Sequence, residues 1–198
     1  MGIDRAKDGK LLYHLTFLDN LDSIIEENLL SRRVLNQKSS KFIDAANQEI
    51  ICKREQLGLD CYIPFHFHPY SAFDVAVKNK FSGDDFIYLC ISRVVARKNK
   101  FKILPIHPLS AEDKIFLYDY DEGIEKIDWE TLMTVGRDDT YAKHVKMAEC
   151  LTEHRIPIEN FHCIYVKSSN VKEIVEKKLR VASVNFPPPY VYIQDCWF

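Results

Sequence analysis

The sequence predicts an α+β fold in one domain spanning residues 1–198. Segments rich in β-branched and aromatic residues mix with segments of helical apolar spacing, without the strict alternation of a doubly wound sheet. A chain of 198 residues is long enough to bury a sizeable core within one domain. It is 46% hydrophobic and 12% aromatic, with no low-complexity tract, which is the make-up of a folded globular protein.

The run Leu11 to Phe17, with Tyr13 and His14 inside it, reads as a strand. Asn20 then suits a helix cap, because its side-chain oxygen can accept a first-turn amide. Leu21, Ile24, Ile25 and Leu29 recur at helical spacing behind it. Arg32 to Phe42 is polar and reads as a loop. Ile43 to Leu57 is helix-like, with Lys53 and Arg54 near its end. Cys61 to Phe67 is β-rich and stops at Pro69, and Ser71 to Lys80 suits a short helix. Phe86 to Val95 is apolar on both sides, as a central strand must be. Phe101 to Ile106 reads as another strand and Asp128 to Met133 as a short helix. Thr134 to Thr140 has no apolar pattern and reads as a loop; Val145 to Thr152 fits a helix or a strand. Phe161 to Val166 is a strand, and Ser168 or Ser169 can cap a helix over Val171 to Leu179. The tail from Val181 to Phe198 returns to β-type residues, interrupted by Pro187-Pro188-Pro189.

A net charge of −2 argues against a generally basic nucleic-acid coat while leaving room for a local basic groove. Six cysteines occur without a C-x-x-C pair, so a zinc knuckle is not indicated and buried reduced thiols are expected. The N-terminal residues lack the apolar centre of a signal peptide, Ala6 stands where a myristoylation signal needs Ser or Thr, and no apolar run is long enough to span a membrane. A cytoplasmic protein is the expectation, with no membrane partner.

Neither G-x-G-x-x-G, a P-loop nor G-x-S-x-G is present. His66 and His68 alternate onto one face of a predicted strand, which suits two metal ligands but more often reflects aromatic packing. No third ligand has diagnostic spacing, so no metal is expected. His14 and Thr16 likewise share a face, offering an imidazole and a hydroxyl to a polar ligand or to the core. Glu149 is one carboxylate in a mostly apolar segment, and periodicity alone leaves open whether it is buried or on a surface. The basic run Arg93, Arg97, Lys98, Lys100 and Lys102 reads first as a solvated loop between strands.

Taken in order, several blocks resemble the DarT ADP-ribosyltransferases. Tyr13-His14-Leu15-Thr16 and Leu18-Asp19-Asn20-Leu21 are similar to Y-H-I-T and I-x-N-L. Cys61-Tyr62-Ile63-Pro64-Phe65-His66-Phe67 is similar to D-Y-V-P-F-Y-F. Asp128-Trp129 and Lys146-Met147-Ala148-Glu149-Cys150-Leu151 are similar to D-W and K-x-A-E-F-L, and Val191 to Phe198 resembles the family's tail. The resemblance runs from residue 13 to residue 198. It implies a single-domain fold with a split β-sheet around an NAD cleft, NAD as co-substrate without a metal, and transfer of ADP-ribose to a base, usually thymidine, in single-stranded DNA. It also implies a toxin paired with a macrodomain antitoxin of the DarG kind.

On that resemblance Glu149 and Arg54 are the catalytic pair, and His14, Thr16, Asn20 and Tyr62 hold NAD. Arg137, His144 and Lys146 lie in or beside a loop facing the DNA. Tyr70 stands where the family's P-R-S-P carries a cation, and a tyrosine there can stack on a base. Residues 104–112 have no clear counterpart. Alternatives are the same fold acting on guanine, RNA or protein, an RNA 2′-phosphotransferase, and a non-catalytic NAD-binding or partner-binding module.

Overall fold

The computed structural model describes residues 3–110, 115–182 and 187–198. The readings at Met1 and Gly2, and those parts of the unmatched stretch and of the tail that fall on 111–112 and 183–186, lie outside the described residues. Strand β1 (Leu11–Phe17) leads through a 3-10 turn into helix α1 (Leu21–Glu27), followed by α2 (Arg32–Lys38) and α3 (Gln48–Gln56). Then come β2 (Ile63–His66), α4 (Ala72–Lys80), β3 (Phe86–Ser92), α5 (Arg93–Lys98), β4 (Lys102–Leu104) and β5 (Tyr118–Asp119). Helices α6 (Tyr120–Lys126), α7 (Trp129–Met133) and α8 (Thr140–Lys146) precede β6 (Glu149–Thr152), β7 (Cys163–Val166), α9 (Ser169–Val181) and β8 (Tyr190–Ile193).

All eight strands join one mixed sheet in the order β5-β4-β6-β2-β1-β3-β7-β8. Its middle is nearly parted. β1 pairs with β3 along its whole length, from Leu11 opposite Ser92 to Phe17 opposite Phe86, but meets β2 at the single pair Tyr13–His66. Beyond that pair the strands diverge, and the gap becomes a cavity. This is the split sheet expected above.

The alternation of β1 sorts its side chains between two faces. Tyr13, Leu15 and Phe17 enter an aromatic cluster with Phe86, Tyr88, Cys90 and Trp197. Leu12 enters the main core on the other side, with Leu89, Ile91 and Ile164 and the Val171, Val175, Leu179 stripe of α9. His14 and Thr16, on the same face as Leu12, line the cavity. The expected cap of α9 is present, the Ser168 hydroxyl accepting from the Val171 amide at 3.3 Å.

Several expectations are corrected. The segment from Arg32, read as a loop, forms α2, which two bidentate pairs anchor: Arg32 on Asp44 (2.6 and 2.7 Å) and Arg33 on Asp60 (2.9 and 2.6 Å). The helix read from Ile43 begins only at Gln48, because the Asn47 side chain caps it from the Ile50 amide. The helix is closed by Gly58, whose left-handed φ of 69° disfavours residues with a Cβ. The long central strand stops at Ser92, whose hydroxyl turns the chain into α5 by accepting from Val94. The basic run is therefore helical at its start. Arg93 is committed to the carbonyls of Ala6, Lys7, Leu11 and Phe67, while Arg97 and Lys102 pair with Asp121 and Asp119. Residues 145–152 contain both elements, the end of α8 and then β6. Helix α6 was not anticipated. It packs so closely on β4 that a Cβ at Gly123 would lie 2.3 Å from that of Ile103.

Candidate active site

The floor of the cavity is the ion pair Arg54–Glu149. Glu149 opens β6 beside His66 of β2, and Arg54 reaches it from α3, one turn after the cavity-lining Ile50. The guanidinium Nη1 donates to both carboxylate oxygens, at 2.8 and 2.7 Å, and Nη2 donates to the Leu59 carbonyl at 3.4 Å. Both residues are almost wholly buried, 4% and 3% exposed. Burial is the largest single influence and raises the Glu149 carboxyl, but the charge and hydrogen bonds of Arg54, added to smaller pulls from its other neighbours, hold the group below its ordinary value, hence ionised. Arg32 and Arg33, the other arginines on this side, are spent on Asp44 and Asp60.

One wall comes from β1. Burial lowers His14 to about 4, so the ring is neutral at pH 7. Its Nδ1–H donates to the Pro64 carbonyl at 2.8 Å, bridging the split and leaving Nε2 as an acceptor. The Thr16 oxygen accepts from the Asn20 amide at 3.1 Å, which leaves the hydroxyl hydrogen free to donate. An acceptor and a donor thus stand two residues apart on one face, a complement to sugar hydroxyls.

Asn20 does not cap α1 as expected. Its amide is used across the cavity instead, donating to the Ile43 carbonyl (2.9 Å) and accepting from the Ile43 amide (2.8 Å). Both amide hydrogens are committed, so Asn20 acts by fixing the outer wall at residues 42–46, which the Arg32–Asp44 pair also clamps. Tyr62 lines the cavity from the start of β2.

The residues expected to face DNA are spread more widely. His144 stacks on His107 with ring centroids 6.1 Å apart, which sets α8 against the cavity wall. Lys146 donates to the Arg137 carbonyl, and Arg137 itself pairs with Asp139 (2.7 Å) and Thr131 (3.0 Å) on the exposed loop before α8. Tyr70 lies outside the cavity lining. It is 53% exposed at a left-handed φ of 62°, and its amide donates to the Tyr88 hydroxyl at 3.0 Å. The Lys78 ammonium sits 4.7 Å from its ring centroid, so a cation is restored beside the aromatic from α4.

Two cavity residues escaped sequence reasoning in this role. His107 and His66 are 3% and 7% exposed and line the cavity beside Glu149. The sequence offers His66 as a metal ligand or a packing residue, and a lone histidine such as His107 carries no periodic signal. His68, the expected partner of His66, falls outside β2, and its ring lies between the Pro69 and Lys146 carbonyls.

Residues 13–198 match the family model described as DarT, ssDNA thymidine ADP-ribosyltransferase. The chain is 22% identical over 188 residues to a DNA ADP-ribosyl transferase–DNA ADP-ribosyl glycohydrolase fusion protein of Thermosipho africanus (strain H17ap60334), covering 89% of this chain and 47% of the relative. It thus spans about half the length of that curated relative. Among solved structures, Thermus sp. 2.9 DarT in complex with ADP-ribosylated ssDNA superposes with a TM-score of 0.83 at 24% identity, covering 96% of this chain and 97% of that one. The same protein in complex with NAD+ gives 0.78 at 23% identity, with the same coverage. Among the described residues no helix is long and apolar enough to cross a membrane. With a split sheet and a family match over residues 13–198, the chain belongs to the DarT family, described as ssDNA thymidine ADP-ribosyltransferase.

Proposed function

We propose that the cavity binds NAD between the β1 wall and the residue 42–46 segment, and that Arg54 and Glu149 drive transfer of its ADP-ribose to a thymine in single-stranded DNA. The observation that carries this reading is the ionised carboxylate held by a buried guanidinium at the bottom of a cleft lined by His14 and Thr16. NAD supplies an activated glycosidic bond, and positive charge builds on the ribose as nicotinamide leaves. The Glu149 carboxylate lies where it can stabilise that charge. It also serves as the general base for the thymine N3 proton, without which N3 is a poor nucleophile. Arg54 keeps Glu149 ionised and offers its remaining N–H groups to a phosphate or a base carbonyl. His14 and Thr16 take the ribose hydroxyls, while Asn20 and Tyr62 shape the pocket. His144 sits nearest the acceptor strand, with Arg137 and Lys146 further along it, and Tyr70 stacks on a flanking base beside Lys78.

The whole chain acts as one catalytic domain in this reading. A macrodomain glycohydrolase is the natural partner, since the Thermosipho relative carries a glycohydrolase in the same polypeptide. The test is incubation with NAD and mixed-sequence single-stranded oligonucleotides, followed by mass spectrometry. A gain of one ADP-ribose on thymine, lost with Glu149→Gln, is the expected result. Labelling of guanine, RNA or protein instead would keep the fold and move the acceptor, while an absence of NAD turnover under every condition would leave a binding module.

A further inference from the structure

We propose that His66 is the relay that carries away the proton Glu149 takes from the acceptor, an inference that rests on the transfer reaction above. The antiparallel register of β2 and β6 sets His66 directly opposite Glu149. Side chains of directly opposed residues lie on one face with Cβ atoms about 4.5–5.5 Å apart. His66 lines the cavity, is 7% exposed, and its Nδ1 is shut from solvent without a hydrogen-bond partner.

The neighbouring imidazoles are committed to the fold. His14 donates to the Pro64 carbonyl, His68 lies against two carbonyls, and His107 Nδ1 accepts from the Leu109 amide at 3.3 Å. A buried polar atom left unpaired is costly, and its persistence at a reaction centre points to a partner present only during turnover. Glu149 needs such a partner. Arg54 makes its carboxylate a poor resting place for a proton, so the proton must move on before the next cycle. The DarT pattern quoted above has tyrosine at this position. A phenol has a single oxygen that already carries its proton near neutrality, whereas an imidazole has a second ring nitrogen that can take a proton up.

The bookkeeping closes. The acceptor N–H bond breaks and a bond from that nitrogen to the ribose carbon forms. The ribose–nicotinamide bond breaks with its electron pair leaving on nicotinamide. The proton passes to the Glu149 carboxylate, then to the His66 ring, and reaches water as product departs. His66 therefore acts through Glu149 rather than on the substrate.

His66→Gln and His66→Tyr are expected to lower kcat for oligonucleotide labelling on the order of 10- to 100-fold, at the lower end of general-base contributions, with KM for NAD within about twofold. His66→Ala is expected to recover part of its rate when imidazole is added, in a saturable way, whereas Glu149→Gln does not respond. Wild-type labelling by His66→Gln would overturn the proposal, as would a parallel change in kcat and KM for NAD without imidazole rescue. If His66→Ala does not fold, the Gln and Tyr variants decide. If wild type hydrolyses NAD but labels no DNA, the acceptor assignment fails, and the same comparison, read on hydrolysis with water as acceptor, still decides His66. Failure of wild type to turn over NAD at all removes the transfer reading and this inference with it.

Discussion

The two halves of the split sheet are built on different physics. In the half formed by β1, β3, β7 and β8, apolar and aromatic side chains pack on both faces. Tyr13, Tyr88 and Trp197 meet edge to face, with Tyr13 and Trp197 centroids 5.7 Å apart at 88°. In the half formed by β5, β4, β6 and β2, His66 stands on β2, the strand facing the split, and Glu149 opposite it on β6, with Arg54 brought to them from outside the sheet. Burying an ion pair seldom stabilises a fold relative to apolar packing. The first half is therefore a platform, and the second holds a charged centre against it at a cost to stability.

The comparison is broken most sharply at Glu149. Glu149→Gln is expected to lower labelling roughly 10²- to 10⁴-fold, the range of a lost general base, with little change in melting temperature. Glu149→Ala is a poorer probe, because leaving Arg54 buried and unpaired costs about 3–5 kcal/mol. Equal labelling by wild type and Glu149→Gln in mass spectrometry would remove the charged centre from the chemistry.

Acidification probes the cavity between the two halves without mutation. His14 and His107 are lowered to about 4 by burial, so the unfolded chain binds more protons than the native one between about 6.5 and 4. Their contribution to stability is present above the unfolded value and is lost across that window as pH falls. Glu149, held below its ordinary value, adds a further loss as pH falls from about 4.3 through its folded value. Thermal melts should fall continuously from pH 6.5 downward, and His107→Asn should flatten the upper part of that slope. An unchanged slope would mean that His107 is not kept neutral by burial.

Smaller effects map the rim. Asn20→Ala removes the link between Thr16 and Ile43 and is expected to raise KM for NAD, with a stability cost of about 1–3 kcal/mol from the unpaired backbone groups. Tyr70→Ala should weaken oligonucleotide binding by roughly 1–3 kcal/mol, the worth of one stacked base, and leave NAD hydrolysis unchanged. Arg137→Ala should act least, since its pair with Asp139 is exposed and screened by solvent. A large loss of NAD hydrolysis in either Tyr70→Ala or Arg137→Ala would place that residue in the cleft instead of on the strand-binding rim.

Much of the platform was legible in the chain. The strand from Leu11 to Phe17, the central strand beginning at Phe86 and the Ser168-capped final helix are announced by period and capping chemistry, which are local properties. An ordered motif block also pointed to Glu149, and the same resemblance, outside the blocks, to Arg54. Other features depend on partners distant in sequence. Arg32 and Arg33 read as loop residues until Asp44 and Asp60 are seen beneath them. Asn20 reads as a cap until Ile43 is seen across the cavity. Residues 145–152 carry two elements that no single period describes. The sequence by itself determined the strands that begin near Leu11, Phe86 and Phe161 and singled out Arg54 and Glu149 as the candidate pair. Only the tertiary structure decided that Glu149 is buried, that Arg54 reaches it across 95 residues of chain, and that His66 stands opposite it, because hydrogen-bond register and burial are set by which segments meet in space.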